Sequence, residues 1–383
     1  MFYEYVLLSF FFKTFVCEWH LAFCINIELV IYKYNKNRFK MKKLLIALNL
    51  LLLFSLSVNA QEKKKYALYS AAFYNLENLF DYTHDQGKDD YEYLPDGKLG
   101  WDSIKYVSKL HNMAEVLSQI AKDKLPEGPA AIGLAEVENR RVLEDLLKQP
   151  ALASSGYQII HYEGPDKRGV DCGFLYNPDL FKVTTSKLKP YVNVNDTVHK
   201  TRGFLIVSGV MANEKVTFIV NHWPSRGADS PARIIAGEQV RAIKDSLLRE
   251  NPASKVIIMG DMNDDPMDES MSKALGARRE IKDVEQGGLY NPWWNTLVVK
   301  GMGTLTYKGK WNLFDQIVVS SNLLGDDRST LKFCQNEIFY RDFMIQQDGY
   351  YKGSPKRTFG SGKWLNGYSD HLPTIIYLIK EVK

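Results

Sequence analysis

Short apolar runs bounded by turn-forming or charged residues recur along the chain, and each reads as a buried strand. They are YALYSAAFYN (66–75), AAIGLAEV (130–137), YQIIHYEG (157–164), CGFLYNP (172–178), RGFLIVSGVM (202–211), VTFIVNHW (216–223), KVIIMGDMN (255–263), NLFDQIVVS (312–320) and TIIYLIKEV (374–382). Apolar residues three and four apart predict helices at Ile104–Lys122, Arg140–Lys148 and Pro231–Leu248. Many strands with few intervening helices argue for two packed sheets flanked by helices rather than an alternating βαβ barrel. No Pro/Ser/Gly-rich linker, internal period or low-complexity tract interrupts the pattern, so residues 61–383 are expected to form a single domain.

The first sixty residues follow different rules. From Met41 the chain reads MKKLLIALNLLLLFSLSVNAQEKKK: two lysines, an apolar segment, then small residues at Val58 and Ala60. That is the layout of a secretory signal. Leu44–Val58 is short beside the roughly 20 residues that a spanning helix needs. Residues 41–60 are therefore expected to be a cleaved leader, residues 1–40 to reflect a start codon set too early, and the mature protein to be secreted or periplasmic without a stable membrane anchor.

Composition then changes one expectation. The whole chain carries 49 basic and 45 acidic residues, but seven and three of these lie in the first sixty, leaving 42 of each. With no net charge, any attraction to polyanions must be local. Of four cysteines only Cys172 and Cys334 remain; export would permit a disulfide, and two buried thiols are the alternative.

The candidate chemistry lies where strands end. Asn75 and Glu77, Glu136, Asn221 and His222, and Asp261 and Asn263 close apolar runs; Asp315 opens one, and Asp370 and His371 precede the last. One such terminus is ordinary turn chemistry, but repeated oxygen donors with two histidines are harder to explain that way. Carboxylates and carboxamides without Cys/His spacing suit Mg²⁺, with Mn²⁺ or Ca²⁺ as alternatives. Histidines beside a bound cation supply acid/base groups. Together these are the requirements for hydrolysing a phosphate ester.

The series Asn75-x-Glu77, Glu136, Asn221-His222, Gly260-Asp261-x-Asn263, Asp315 and Ser369-Asp370-His371 resembles the endonuclease/exonuclease/phosphatase superfamily, in its deoxyribonuclease-I-like form. The resemblance implies an α/β (α+β) four-layered sandwich, two mostly antiparallel sheets packed face to face with helices outside. It also implies roles. Asn75, Glu77, Glu136 and Asp370 would hold the metal, with Glu138 a rival to Glu136. Asp261 would activate water, Asn263 would donate to the phosphoryl oxygens, Asp315 would orient His371, and His222 would serve the leaving oxygen. Arg202, Arg226 and Asn221 would contact substrate phosphate, with Arg168 an equal candidate in its loop, and Asp171 would support His222. His84, His111, His161 and His199 lie outside the series and default to structure or surface. Near Asp315, Trp293, Trp294, Tyr307 and Trp311, with Lys308 and Lys310, could stack bases or simply pack. The expected activity is hydrolysis of a phosphodiester, with nucleic acid the first choice of partner; a phospholipid head group, a phosphomonoester and a non-catalytic phosphate binder are the other readings.

Overall fold

The protein is described by a computed structural model at residues 48–49, 64–198, 200–228 and 230–382. Residues 1–40, the leader reading except at Leu48 and Asn49, and His199 lie outside the described residues. The chain divides after Lys64, and the unit from Lys65 onward holds both large sheets.

Two sheets dominate. The first has six strands in the spatial order Lys332–Ile338 (β14), Thr374–Val382 (β17), Lys65–Leu79 (β1), Ala131–Val137 (β2), Asp171–Tyr176 (β4) and Gln158–His161 (β3). The second has seven: Phe181–Lys189 (β5), Phe204–Met211 (β6), Glu214–His222 (β7), Lys255–Asp261 (β8), Asp315–Ser320 (β13), Leu289–Tyr290 (β10) and Ala277–Arg278 (β9). Pairing is antiparallel except at β1–β2, β7–β8 and β9–β10. Two small hairpins, Leu305–Tyr307 (β11) with Lys310–Asn312 (β12) and Phe359–Gly360 (β15) with Lys363–Trp364 (β16), complete the strands.

Alternation along the strands explains the layering. On β8, Ile257 and Met259 enter the core between the sheets, while Val256 and Ile258 pack under the helix Ser230–Glu250. The sheets meet closely: a Cβ added to Gly133 on β2 would lie 2.5 Å from Met259 Sδ and 3.1 Å from Val220 Cγ1. Helices α1 (Ser103–Gln119) and α2 (Arg140–Leu147) pack on the first sheet, and Ser230–Glu250 (α3) on the second. A short helix, Trp294–Val298 (α4), precedes the β11–β12 hairpin. The result is a helix, sheet, sheet, helix sandwich. Asp102 caps α1 by accepting from Lys105 N at 3.0 Å, and Asn139 caps α2 through Val142 N at 3.1 Å.

All nine strand runs and three helices expected from the sequence are present. The two longer strands without a strong apolar run, β5 and β14, are sheet edges with wetter faces. Cys172 and Cys334 are both free. Cys172 is buried on β4, where burial pushes its thiol pKa up, and Cys334 is exposed on β14, so a shared core location does not hold. Among the described residues, no helix is long and apolar enough to cross a membrane.

Candidate active site

Strand register builds the first half of the site. His222 pairs with Asp261 across the parallel β7–β8 ladder, and Asp261 with Asp315 across β8–β13. Asp261 and Asp315 continue the series Ile257–Met259 and Ile317–Val319, so their side chains leave the sheet on the face that meets the other sheet. Gly260 is required one step earlier, because a Cβ there would collide with the Asn221 carbonyl of the neighbouring strand.

The other sheet supplies the second half. Asn75 sits near the end of β1, Glu136 on β2, and residues 369–371 lead into β17. Ser369 Oγ donates to the Asn75 carbonyl at 2.7 Å and accepts from His371 N at 3.1 Å, which locks this turn to β1. Pairing shifts between Asn75 and Leu79 on β1, and between Ala135 and Val137 on β2. Glu77, Asn78 and Glu136 at these irregularities have φ of 49°, 52° and 60°. Such left-handed residues cost of order 1 kcal/mol each and are held only where surroundings over-determine them. Here the bulges let Glu136 leave the strand alternation and accept from Asn78 N at 2.8 Å.

At the centre stands Asp261. Its Oδ2 accepts from the Asn75 amide at 3.0 Å, and its Oδ1 accepts from Asn263 N at 2.9 Å. The same Oδ2 is 3.7 Å from His222 Nε2 and 3.9 Å from His371 Nε2. Burial raises the Asp261 pKa to about 7, with the nearby Asp315 adding to the rise and His371 opposing it. His371 Nδ1 pairs with the fully buried Asp315 Oδ2 at 2.7 Å. Burial alone would lower the His371 pKa; the carboxylates of Asp315, Asp261 and Asp370 outweigh it and hold the imidazolium. His222 goes the other way: burial, then the charges of Arg202, Arg168 and His371, push its pKa well below the ordinary value. The two histidines thus flank one carboxylate with their pKa values displaced in opposite directions.

Several predicted residues are placed otherwise. Asn221 points to the opposite face of β7, with its amide donating to the carbonyls of Ile219 at 2.8 Å and Met259 at 3.0 Å, so it holds strands together rather than substrate. Arg202 is buried and donates to Asp166 at 3.2 Å and to the Trp223 carbonyl at 3.0 Å. It reaches His222 through its field, not a phosphate. Arg226 is held by Asp268 at 2.8 Å, Asp265 at 3.3 Å and the Asn263 carbonyl at 3.1 Å. Asp171 faces His161 at 3.5 Å, and His222 Nδ1 has no hydrogen-bond partner, so the expected support of His222 by Asp171 is not made. Asn263 also gives one amide hydrogen to the Trp223 carbonyl at 3.1 Å.

Glu138 accepts from Asp81 N at 2.7 Å, whereas Glu136 lies 3.7 Å from His222 Nε2, so of the two it is Glu136 that faces the histidines. Glu77 accepts from the backbone and hydroxyl of Thr358 at 2.7 and 2.9 Å, beside the buried Lys109. Burial raises Glu77 to about 7 and lowers Lys109 to about 8. Asp166, Thr358, Lys109 and Arg357, which binds Asp370 at 2.9 Å, are residues that sequence reading missed. Lys109 alone carried a signal, a lysine on the apolar face of α1.

A divalent cation fits this site by donor chemistry. Asp261, Asp315 and His371 each bring one ligand atom within 4.8 Å of the others. Their burial and the short Asp315–His371 bond leave the partly exposed Glu136 and Asp370 as the better oxygen donors for a hard ion. The amides of Asn75 and the carboxylate of Glu77 are already engaged, which makes them supports of that pair.

Comparison with known proteins agrees with this geometry. Residues 70–380 match the Endonuclease/Exonuclease/phosphatase family. No curated protein matches the chain. Similar solved structures include D. rerio TDP2 humanised by 14 mutations, 15% identical with a TM-score of 0.50, covering 81% of this chain and 98% of that one. A mannosyl-6-phosphatase of Bacteroides thetaiotaomicron VPI-5482 is 16% identical at 0.50, covering 81% and 99%. ANGEL2, a 2′,3′-cyclic phosphatase, is 12% identical at 0.54, covering 84% and 99%. At such identities the likeness speaks for the fold alone. The family match spans nearly all of the described domain, and it is on this ground that the chain belongs to the endonuclease/exonuclease/phosphatase family, whose shared chemistry is phosphoester hydrolysis.

Proposed function

We propose that the protein is an exported, Mg²⁺-dependent phosphodiesterase with nucleic acid as its substrate class. The observation that carries the chemistry is the Asp315–His371–Asp261 series. A bound divalent ion, held by Glu136 and Asp370, would neutralise charge on the phosphoryl oxygens. Asp261, with a pKa near 7, takes a proton from the attacking water. His371, fixed by Asp315, donates Nε2–H to a phosphoryl oxygen as negative charge grows there. His222 is neutral in the free protein and offers one hydrogen bond near the leaving oxygen, gaining proton affinity as the phosphate anion arrives.

Charge favours a diester. Arg202, Arg226 and Arg357 are bound to Asp166, to Asp265 and Asp268, and to Asp370, and Lys109 is buried against Thr358. What faces the phosphate is the His371 imidazolium and the ion, which suits a monoanionic diester better than a dianionic monoester. Nucleic acid is supported by the β11–β12 hairpin. Its tip exposes Tyr307, Lys308 and Lys310, and its base touches the site through Leu372 N to the Thr304 carbonyl at 2.8 Å. Trp293, by contrast, is a core residue bonded to the Ile317 carbonyl at 2.9 Å. Export rests on the segment beginning at Met41.

The test is hydrolysis of plasmid DNA, RNA, sphingomyelin, bis(p-nitrophenyl) phosphate and p-nitrophenyl phosphate, each with Mg²⁺ and with EDTA. Diesters should be cleaved at least about tenfold faster than the monoester, which is one decade or about 1.4 kcal/mol, and EDTA should abolish turnover. Preference for the monoester, or full activity in EDTA, refutes the proposal.

A further inference from the structure

Outside the catalytic residues, His161, Glu163 and Asp171 stand together where β3 ends and β4 begins. His161 and Glu163 are two residues apart, so on an extended chain they leave from the same side. Antiparallel pairing, with His161 opposite Gly173, brings Asp171 to them. His161 Nε2 is 3.5 Å from Asp171 Oδ2, and Nδ1 is 3.8 Å from Glu163 Oε1. One ligand atom from each residue lies within 4.8 Å of the other two.

A second observation points to a ligand. The side chains of His161 and Asp171 are only 2% and 3% exposed, yet His161 Nε2 and Asp171 Oδ2 have no hydrogen-bond partner. Buried polar atoms are almost always paired, and two that face each other without bonding are suited to sharing a third group. We propose that His161, Glu163 and Asp171 bind one divalent transition-metal ion, of the zinc or manganese class. Two ligands each about 2.1 Å from a tetrahedral ion stand about 3.4 Å apart, close to the spacing of His161 Nε2 and Asp171 Oδ2; Glu163, whose shorter approach is to the other ring nitrogen, lies within 4.8 Å and would swing in from the rim as the third ligand. An imidazole with two carboxylates selects such an ion over Mg²⁺, which the all-oxygen donors of the catalytic cleft prefer. Glu163 is exposed and provides the entry side, where a fourth position is open to water.

The ion would tie both strands to the loop between them. That loop carries Asp166, the partner of Arg202, and is fastened by Lys88 Nζ donating to the carbonyls of Gly164 at 3.0 Å and Asp166 at 3.2 Å. Its role is to fix the loop, not to meet the substrate.

The test uses the full-length protein carrying Glu136→Gln, Asp370→Asn and His371→Gln, which remove the cleft's oxygen donors and break up its Asp261, Asp315 and His371 group. After equilibration with Zn²⁺ and dialysis against excess Mg²⁺, metal content is measured by plasma mass spectrometry. One Zn²⁺ per chain is expected, with X-ray absorption showing nitrogen and oxygen neighbours only. Adding His161→Gln should weaken binding by more than about 100-fold, since loss of a ligand exceeds loss of an outer partner. Glu163→Gln, at the exposed rim, keeps the fold and should weaken binding at least about tenfold, so the test does not depend on the buried variant folding. No Zn²⁺ retained in the cleft-disabled protein, or retention indifferent to Glu163→Gln, overturns the proposal. Neither result bears on whether the cleft hydrolyses diesters.

Discussion

Asp315→Asn isolates the charge behind His371, the proposed donor to the phosphoryl oxygen. The substitution keeps size and shape, and the new Oδ1 can still accept from His371 Nδ1 at the 2.7 Å site. What disappears is a negative charge on a fully buried group. At an effective dielectric of about 20, the gross Coulomb attraction over that distance is about 6 kcal/mol. Desolvation removes much of this, and a charge-assisted hydrogen bond nets about 1.5–3 kcal/mol. Because the transition state draws more negative charge toward His371 than the ground state does, about 3–4 kcal/mol of catalysis is at stake, or 10²–10³-fold in kcat. KM should change little. Stability should fall by about 1–3 kcal/mol, since the NH₂ put in place of a buried oxygen without a partner finds no acceptor and the imidazolium loses its counter-charge. The assay is bis(p-nitrophenyl) phosphate hydrolysis by Asp315→Asn, His371→Gln and the double variant, with Tm recorded for each. If the two residues act as a unit, the double variant is no slower than His371→Gln alone. Fully additive losses, or an Asp315→Asn rate within about threefold of the parent, which is under 1 kcal/mol, would refute the reasoning.

Two further expectations concern stability. Glu214 joins the sheets far from the cleft, binding Lys255 on β8, Lys380 on β17 at 2.8 Å and Leu331 N at 2.8 Å. Burial alone would raise its pKa, but these partners lower it overall. Its contribution is therefore complete above the unfolded carboxyl value of about 4.3 and fades as pH falls through the lower folded value. Glu214→Gln should cost about 2 kcal/mol at pH 7, less than a fully buried pair because the carboxylate is 15% exposed. The Tm gap to the parent should close below about pH 4; a gap unchanged at pH 3 contradicts the assignment. Asn221→Ala strips donors from two buried carbonyls and should destabilise by about 2–3 kcal/mol with KM unaltered. A tenfold rise in KM at unchanged Tm would return Asn221 to the substrate.

Much of this was legible because strand ends concentrate the chemistry. Asp261, Asp315, His222 and His371 lie at the termini of apolar runs; sheet register brings the first three together, and the packing of the two sheets adds His371. Asn221 shows the limit of the same signal. It is adjacent to His222 in the chain, but the period of two turns it to the other side of β7, a distinction that a motif does not carry. The arginines failed for a related reason: Arg202, Arg226 and Arg357 have carboxylate partners 36, 39 and 13 positions away, and no local pattern announces such pairs. Edge strands β5 and β14 were missed because one wet face and a pairing irregularity dilute the apolar signal.

Asn75, Glu136 and His371 come from the first sheet, whereas His222, Asp261 and Asp315 come from the second. A chain with both sheets formed but not yet pressed together would show its full strand signal in circular dichroism and hydrolyse nothing. Turnover regained during refolding therefore reports the closing of one half of the molecule onto the other, which neither half's own strand content can reveal.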